Sequence, residues 1–260
     1  MMLSADSFFF EGATERAVLE TLKVIPRQQR DKDEGGKSQI NDRIKNTLGP
    51  KLGGEIVRCL ILRDLDSHVT ETSVAIKQSV VGCFKGLFRE RGFDEQVVAL
   101  NSYEKFSNVF VFEATDPDIK VALHIAEYKY KMQFKNSTID DSILNLALRA
   151  ETVQQLMKNK RDNRRKEFFD AVPGDDDDAK AKQIAEAVIR KVLEEIPQLL
   201  QENNFPPLKE AKQYLQFFSA IAQEPKSPAV ITKDIIKSAT DKDKEETLAS
   251  LFAAIQFISA

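Results

Sequence analysis

Two histidines and two cysteines are all that the 260 residues offer as imidazole or thiol ligands. Cys59 and Cys83 lie in a strand-like and a helix-like apolar run, and no metal-ligand spacing surrounds them, so they read as reduced core thiols. No Ser or Cys stands in the context that a nucleophile requires, which leaves a catalytic triad without support. The glycine fingerprints of P-loop and dinucleotide-binding proteins are absent too. The N-terminus lacks the basic region, apolar stretch and small-residue cleavage site of a signal peptide, and no segment has the length and apolarity of a membrane span. The expectation is therefore a cytoplasmic protein that does not bind a membrane. A positive charge excess is also missing: 38 Lys and Arg against 41 Asp and Glu give a net charge of -3. Any contact with nucleic acid must then come from local basic clusters or through a metal ion.

What is present is an ordinary globular composition, 42% hydrophobic and 30% charged, with a mean hydropathy of -0.36. The length suffices for a substantial core and for one large domain or a domain with a smaller companion. Residues 7–10, Ser-Phe-Phe-Phe, form a short continuous apolar run, as expected of a strand covered on both faces, and 14–23 then carry Ala17, Val18 and Leu22 at helical spacing. A polar, Gly-containing loop follows over 25–37, with a short strand expected near 24–27, and a helix over about 38–47 closes at Gly49-Pro50. A second βα unit has its strand at 56–62 and a helix with Val74, Val81, Phe84 and Phe88 on one face, ending at Gly92.

Two like-built βα units imply parallel strands. The β-rich stretches around 97–103, 108–115 and 120–134 follow, the last two separated by residues 116–119 as in a hairpin, which adds an antiparallel edge to the parallel sheet. After residue 138 the pattern becomes helical: an amphipathic segment over 140–169, an acidic linker at 173–178, a helix over about 179–203, and two or three more. The expected organisation is an α/β domain over 1–138, mostly parallel with helices on both faces, and a helical region over 139–260 packing on the sheet.

In an open parallel α/β sheet, ligands bind at the carboxyl ends of the strands. Both strong strands here end in acids, Glu11 on the first and Asp64-Leu65-Asp66 on the second. Residues i and i+2 of an extended chain project from one side, so Asp64 and Asp66 can face one ion while Leu65 turns inward. Magnesium suits such a site, because it takes oxygen ligands and is usually held by one or two protein carboxylates plus substrate phosphates. Gly12 permits a tight turn and the close approach of a phosphate. Glu15, on the first helical turn, either aims at the same rim or simply favours the helix dipole. Each acid also has the plainer reading of an N-cap or first-turn charge.

The pairing of Phe8-Phe9-Phe10-Glu11-Gly12-Ala13-Thr14-Glu15 with an apolar strand ending in Asp64-Leu65-Asp66 resembles the Toprim superfamily, the topoisomerase-primase domain shared with OLD-type nucleases. The form Glu-Gly-x-Thr-Glu looks most like the OLD-type and small stand-alone branches, and it covers residues 7–145. A helical start at Ile139-Asp140-Asp141-Ser142 is similar to a Toprim-related family of unknown function. The resemblance implies a Rossmann-like Toprim sheet and a nuclease or phosphotransfer enzyme dependent on Mg2+ or Mn2+. It makes Glu11 the general acid or base or a further ligand, with Asp64 and Asp66 as metal-binding catalytic residues. No glycine follows Asp66 and the chain is too short for strand passage, so topoisomerase and primase activities are set aside.

Asp140 or Asp141 could supply a carboxylate near a second metal, or cap the helix that begins there. Strand alternation puts Lys129 and Lys131 on one side, where they could grip phosphates of DNA or RNA or guard a sheet edge. His68 lies just beyond Asp66, within reach of a phosphate, whereas His124 reads as an inward imidazole with a satisfied hydrogen bond. The basic run at 158–166 is either a backbone-phosphate contact or a solvated helix face. Apolar stripes at Tyr214, Leu215, Phe218 and at Leu251, Phe252, Ile255 should pack on the sheet, with some surface left for a homodimer. The rival to an enzyme is a non-catalytic Toprim-fold module whose acidic rim binds a metal or a partner. A phosphatase of haloacid-dehalogenase type would want its DxD after the first strand and leaves Glu11-Gly12 unexplained.

Overall fold

The computed structural model describes residues 7–24, 39–65, 71–126, 134, 136–159 and 162–260. These fall into two compact units: one holds the residues up to 126, 136–138 and Leu248–Ala260, and the other holds Phe134 and Ile139–Thr247. The protein is of the α/β class, with a five-stranded mixed sheet followed by helices.

In the first unit the strands β1 (Ser7–Phe9), β2 (Val57–Arg63), β3 (Asn101–Tyr103), β4 (Phe106–Thr115) and β5 (Asp118–Ile125) lie in the order β1-β2-β5-β4-β3. β1, β2 and β5 are parallel, and β4 and β3 are added antiparallel. The expected hairpin is β4–β5. β2 sits between two parallel neighbours, which is why its sequence is nearly continuous in apolar residues: every position but Arg58 is buried.

Strand alternation sends Val57, Cys59 and Ile61, with Phe9 of β1 and Val121 and Leu123 of β5, into one core. α2 (Ile40–Leu48) contributes Ile40, Ile44 and Leu48 to it, spaced four apart on one stripe. α3 (Ser73–Glu90) covers the same face with Ile76, Val80, Phe84, Leu87 and Phe88. Phe84 meets Phe112 of β4 edge to face with centroids 5.3 Å apart. The expected stripe was misphased at its start: Val74 is 58% exposed, because the second residue of α3 precedes the turns that reach the sheet. Thr72 caps α3 by accepting from the Ala75 N–H at 3.1 Å. The helix stops at Gly92, whose φ of +78° suits a residue without Cβ.

The opposite face of β5 is covered by α12 (Ala249–Ser259), the last helix of the chain. Lys120 lies over the Phe257 ring, Tyr103 meets Phe257 edge to face, and Leu251 and Ile255 are buried. His124 Nε2 and Ser250 Oγ are 2.9 Å apart, and Asn108 Nδ2 donates to that same hydroxyl oxygen at 3.3 Å. The Ser250 hydroxyl, one donor with two acceptor lone pairs, can serve Asn108 and the imidazole together. The inward, satisfied histidine expected from the sequence is thus found.

The second unit is helical: α4 (Ile139–Ala147), α5 (Ala150–Lys158), α6 (Asn163–Ala171), α7 (Asp177–Arg190), α8 (Ile196–Glu202), α9 (Ala211–Ala222), α10 (Pro228–Ser238) and α11 (Asp241–Thr247). The segment expected as one amphipathic stretch over 140–169 is three helices. Asp162 restarts the chain as the N-cap of α6, accepting from the Arg165 N–H. The acidic linker caps α7 through Asp176, which accepts from the N–H groups of Asp178 and Ala179. Between α7 and α8 the helix widens into a π-turn at Lys191–Glu195. Pro197 explains it, since its ring would clash with the Leu193 carbonyl in a regular α-helix. Tyr214, Leu215 and Phe218 are buried inside this unit, where α9 packs on α4. The basic run is partly consumed internally: Lys158 pairs with Asp178 at 2.7 Å, and Arg165, 2% exposed, faces Gln223 and Asp234.

None of the described helices is long and apolar enough to cross a membrane.

Burial pushes the His124 pKa down to about 4, against about 6.5 in an unfolded chain. The unfolded state then binds the extra proton first as pH falls, so His124 costs the fold up to ~3 kcal/mol, lost progressively between about pH 6.5 and pH 4. Urea midpoints measured at pH 7, 5.5 and 4.5 should show a steeper fall for the native chain than for His124→Gln.

Candidate functional site

The carboxyl ends of β1, β2 and β5 lie at one end of the sheet because the three strands are parallel. Ser7 pairs with Cys59, Phe8 with Leu60 and Phe9 with Ile61. Carried two residues beyond β1, that register sets Glu11 beside Arg63, the last residue of β2. The side chains meet there: Arg63 Nε donates to Glu11 Oε1 at 2.6 Å. Both are largely withdrawn from solvent, at 6% and 13% exposure. The other arm of the guanidinium, Nη2, lies 3.9 Å from Glu71 Oε1, just before the cap of α3.

The backbone at this point is pinned on both sides. The Arg63 carbonyl accepts from the Ala126 N–H at 2.8 Å, which extends the β2–β5 ladder. One step on, Leu65 exchanges two 2.8 Å hydrogen bonds with Ser137. Leu65 is buried in the sheet core, as the inward position between two aspartates requires. Asp64, half-buried, therefore occupies a fixed place at the rim next to Arg63.

Gly12 is the N-cap of α1 (Ala13–Thr21) and has an extended backbone, φ -152°, that any residue adopts. Its lack of a side chain matters for a different reason from the turn expected. A Cβ here would stand 3.2 Å from Glu15 Oε2, so the bare Cα makes room for the Glu15 carboxylate folded back over the start of the helix. Glu15 is buried, at 5% exposure, where an acid favours the helix dipole.

Two further arginines touch the end of β1. Arg16 of α1 lies over the Phe10 ring at 5.9 Å. Arg43 of α2 lies over Phe9 at 5.8 Å and donates to the Phe10 carbonyl at 3.3 Å. Arg63, Arg16 and Arg43 thus all lie at or beside the two strand ends.

Of the other residues singled out from the sequence, Asp140 and Asp141 belong to the second unit, buried on the first turn of α4. Asp140 lines a gap of only about 10 Å3 with Lys212, Ser219 and Lys226, room for no more than a water. Asp66, His68, Lys129 and Lys131 lie outside the described residues, as does most of the strand expected near 24–27. Among the described residues, no three acids, histidines or cysteines are grouped to hold a metal ion. The donors at the rim are hard carboxylate oxygens, while both cysteines are buried in the core. That donor chemistry fits Mg2+ or Mn2+, which a protein holds with as few as one or two carboxylates.

The residues that sequence reasoning missed are Arg63 and Glu71. Arg63 falls just beyond the strand expected at 56–62, so nothing in the local pattern signals its inward burial.

No family model matches the chain, and no curated protein or solved structure is significantly similar to it.

Removing one member of a withdrawn ion pair leaves the other charge uncompensated. Arg63→Met should cost ~3–5 kcal/mol of stability. In Glu11→Gln/Arg63→Met the loss should be much smaller than the sum of the single losses, as a double-mutant cycle from urea denaturation will read.

Proposed function

We propose that the chain is a divalent-metal-dependent phosphodiester hydrolase of Toprim type acting on DNA or RNA, with its active site at the carboxyl ends of β1 and β2. The observation that carries the reading is that two acids close adjacent parallel strands, Glu11 in register with Arg63 and Asp64 one residue beyond it. The strand direction supports it, since the carboxyl ends of parallel strands are the side on which open α/β sheets bind ligands.

When bound, Mg2+ or Mn2+ supplies a Lewis acid for the phosphoryl oxygens and an activated water. Asp64, with Asp66 two residues on, would hold that ion. Glu11 moves a proton at its carboxylate, and Arg63 fixes the orientation of that carboxylate by the 2.6 Å hydrogen bond. Arg16 and Arg43 give the rim the local positive charge that the chain as a whole lacks, which favours a phosphate backbone.

A second reading has its own support. The Glu11–Arg63 pair is satisfied and nearly buried, which suits a non-catalytic module in which the pair fastens β1 to β2 while the rim binds a metal or partner.

Cleavage of single- and double-stranded DNA and RNA with Mg2+ or Mn2+ separates the two. The enzyme reading expects metal-dependent cleavage that falls by ~10²-fold or more in Glu11→Gln and is abolished in Asp64→Asn. Mn2+ binding without cleavage of any of these substrates favours the module.

A further inference from the structure

The helical unit holds two adjoining hollows, of about 280 and 410 Å3, which share Phe168, Lys191 and Ile221 and so form one groove. Two helical stripes wall it. On α7 and just past its end, Ile184, Ala187, Val188 and Lys191 have the spacing of a single face, and on α6 Arg164, Phe168 and Ala171 do the same. Each stripe has a cation at one end only. The start of α7 lies beside the end of α6, where Lys180 Nζ donates to the Phe169 carbonyl at 3.3 Å, and Val172 and Ile184 together wall that apolar end. The two helices run opposite ways from there, so Lys191 and Arg164 come to line the same hollow at the other end. Phe168 and Ile221 are half-buried and Ala187 is exposed, so the packing of the unit leaves this apolar surface uncovered.

The charges at the mouth are unevenly used. Glu195 is held by Arg190 Nε at 3.1 Å. Arg164 is planted by a hydrogen bond from Nη1 to the Ala220 carbonyl, which leaves the rest of its donor fork without a partner among the described residues. Lys191 enters no ion pair among the described residues. Glu167 lines the same hollow, so Arg164, Lys191 and Glu167 leave one net positive charge there.

From this geometry we infer that the groove binds an aliphatic monocarboxylate of medium chain length, its tail against Phe168, Ile184 and Val188 and its carboxylate at Arg164 and Lys191. The length follows from the stripes: residues seven apart on a helix, such as Ile184 and Lys191, are separated by about 10 Å along its axis, the reach of an octanoyl to decanoyl chain. The charge follows from the mouth, where one net positive charge matches a carboxylate and not a dianionic phosphate. A planted guanidinium suits that head, because its fork takes a carboxylate by two parallel hydrogen bonds. Burial of the tail against the apolar walls supplies the larger part of the affinity. No residue of the strand ends takes part, so the site is independent of any phosphodiester chemistry there.

Calorimetric titration of decanoate into the full chain, below the concentration at which it forms micelles, should show saturable binding at one site. Hexanoate should bind at least ~10-fold more weakly, since it buries four fewer methylenes. Decyltrimethylammonium, with the same tail and the opposite charge, should not bind measurably. Lys191→Glu should weaken decanoate binding by ~10-fold or more, because it sets a like charge beside the carboxylate. Ala187→Trp should abolish it by filling the slot from an exposed position, with the circular dichroism spectrum unchanged. No saturable binding by the native chain overturns the inference, as does binding that Lys191→Glu and Ala187→Trp both leave unchanged. Equal affinity for decanoate and decyltrimethylammonium overturns it too, and binding to anionic phospholipid vesicles with none to free decanoate replaces the soluble carboxylate with a lipid surface and overturns it as well.

Discussion

Everything at the rim depends on the contact between Arg63 and Glu11. β2 is flanked by parallel strands on both sides and covered on both faces, so a charge on it has no route to water except at its end. Arg63 stands at that end and is still nearly buried. Its compensation has to come from the adjacent strand, and the parallel register delivers Glu11 to the matching position. A buried ion pair adds little net stability compared with a well-packed apolar pair, but it penalises every alternative register in which one charge is left alone. The pair therefore fixes how β1 sits on β2, and with it the place of Gly12, Glu15 and the start of α1.

This changes the chemical character of the strand ends. A bare cluster of acids would favour protonation of one member, because like charges disfavour one another's ionised forms. Here Arg63, hydrogen-bonded to Glu11, sets a cation among those acids.

Much of the first unit was legible because parallel strands and their helices carry strong, different periodicities. The two βα units, the antiparallel edge beyond β5 and the acids at the strand ends all follow from runs such as residues 56–62 and the stripe of α3. Four features were not legible, each for a physical reason. Val74 has the apolarity of the stripe but lies at the helix start, where geometry and not composition decides exposure. The chain between 140 and 169 keeps one helical periodicity across breaks that depend on Asp162 acting as a cap. Arg63 looks like the polar end of a strand until the register of β1 is known, since pairing across strands is a tertiary fact that no local pattern encodes. The helical stripes posed the same problem: α9 and α12 look alike in sequence, yet one packs on α4 and the other on the sheet.

The position of α12 has a consequence for how the molecule is made. The helix that closes one face of the sheet is separated from its partner strand by the whole second unit, so the His124–Ser250 contact joins residues 126 apart. Closing a flexible loop of that length is entropically expensive, though the cost rises only with the logarithm of length, and prior folding of the intervening helices shortens the loop that must be closed. During synthesis the sheet therefore waits with β5 uncovered until more than a hundred further residues have emerged. What waits uncovered in that interval is the face of β5 that carries Lys120, Ala122 and His124, and two of these three are polar.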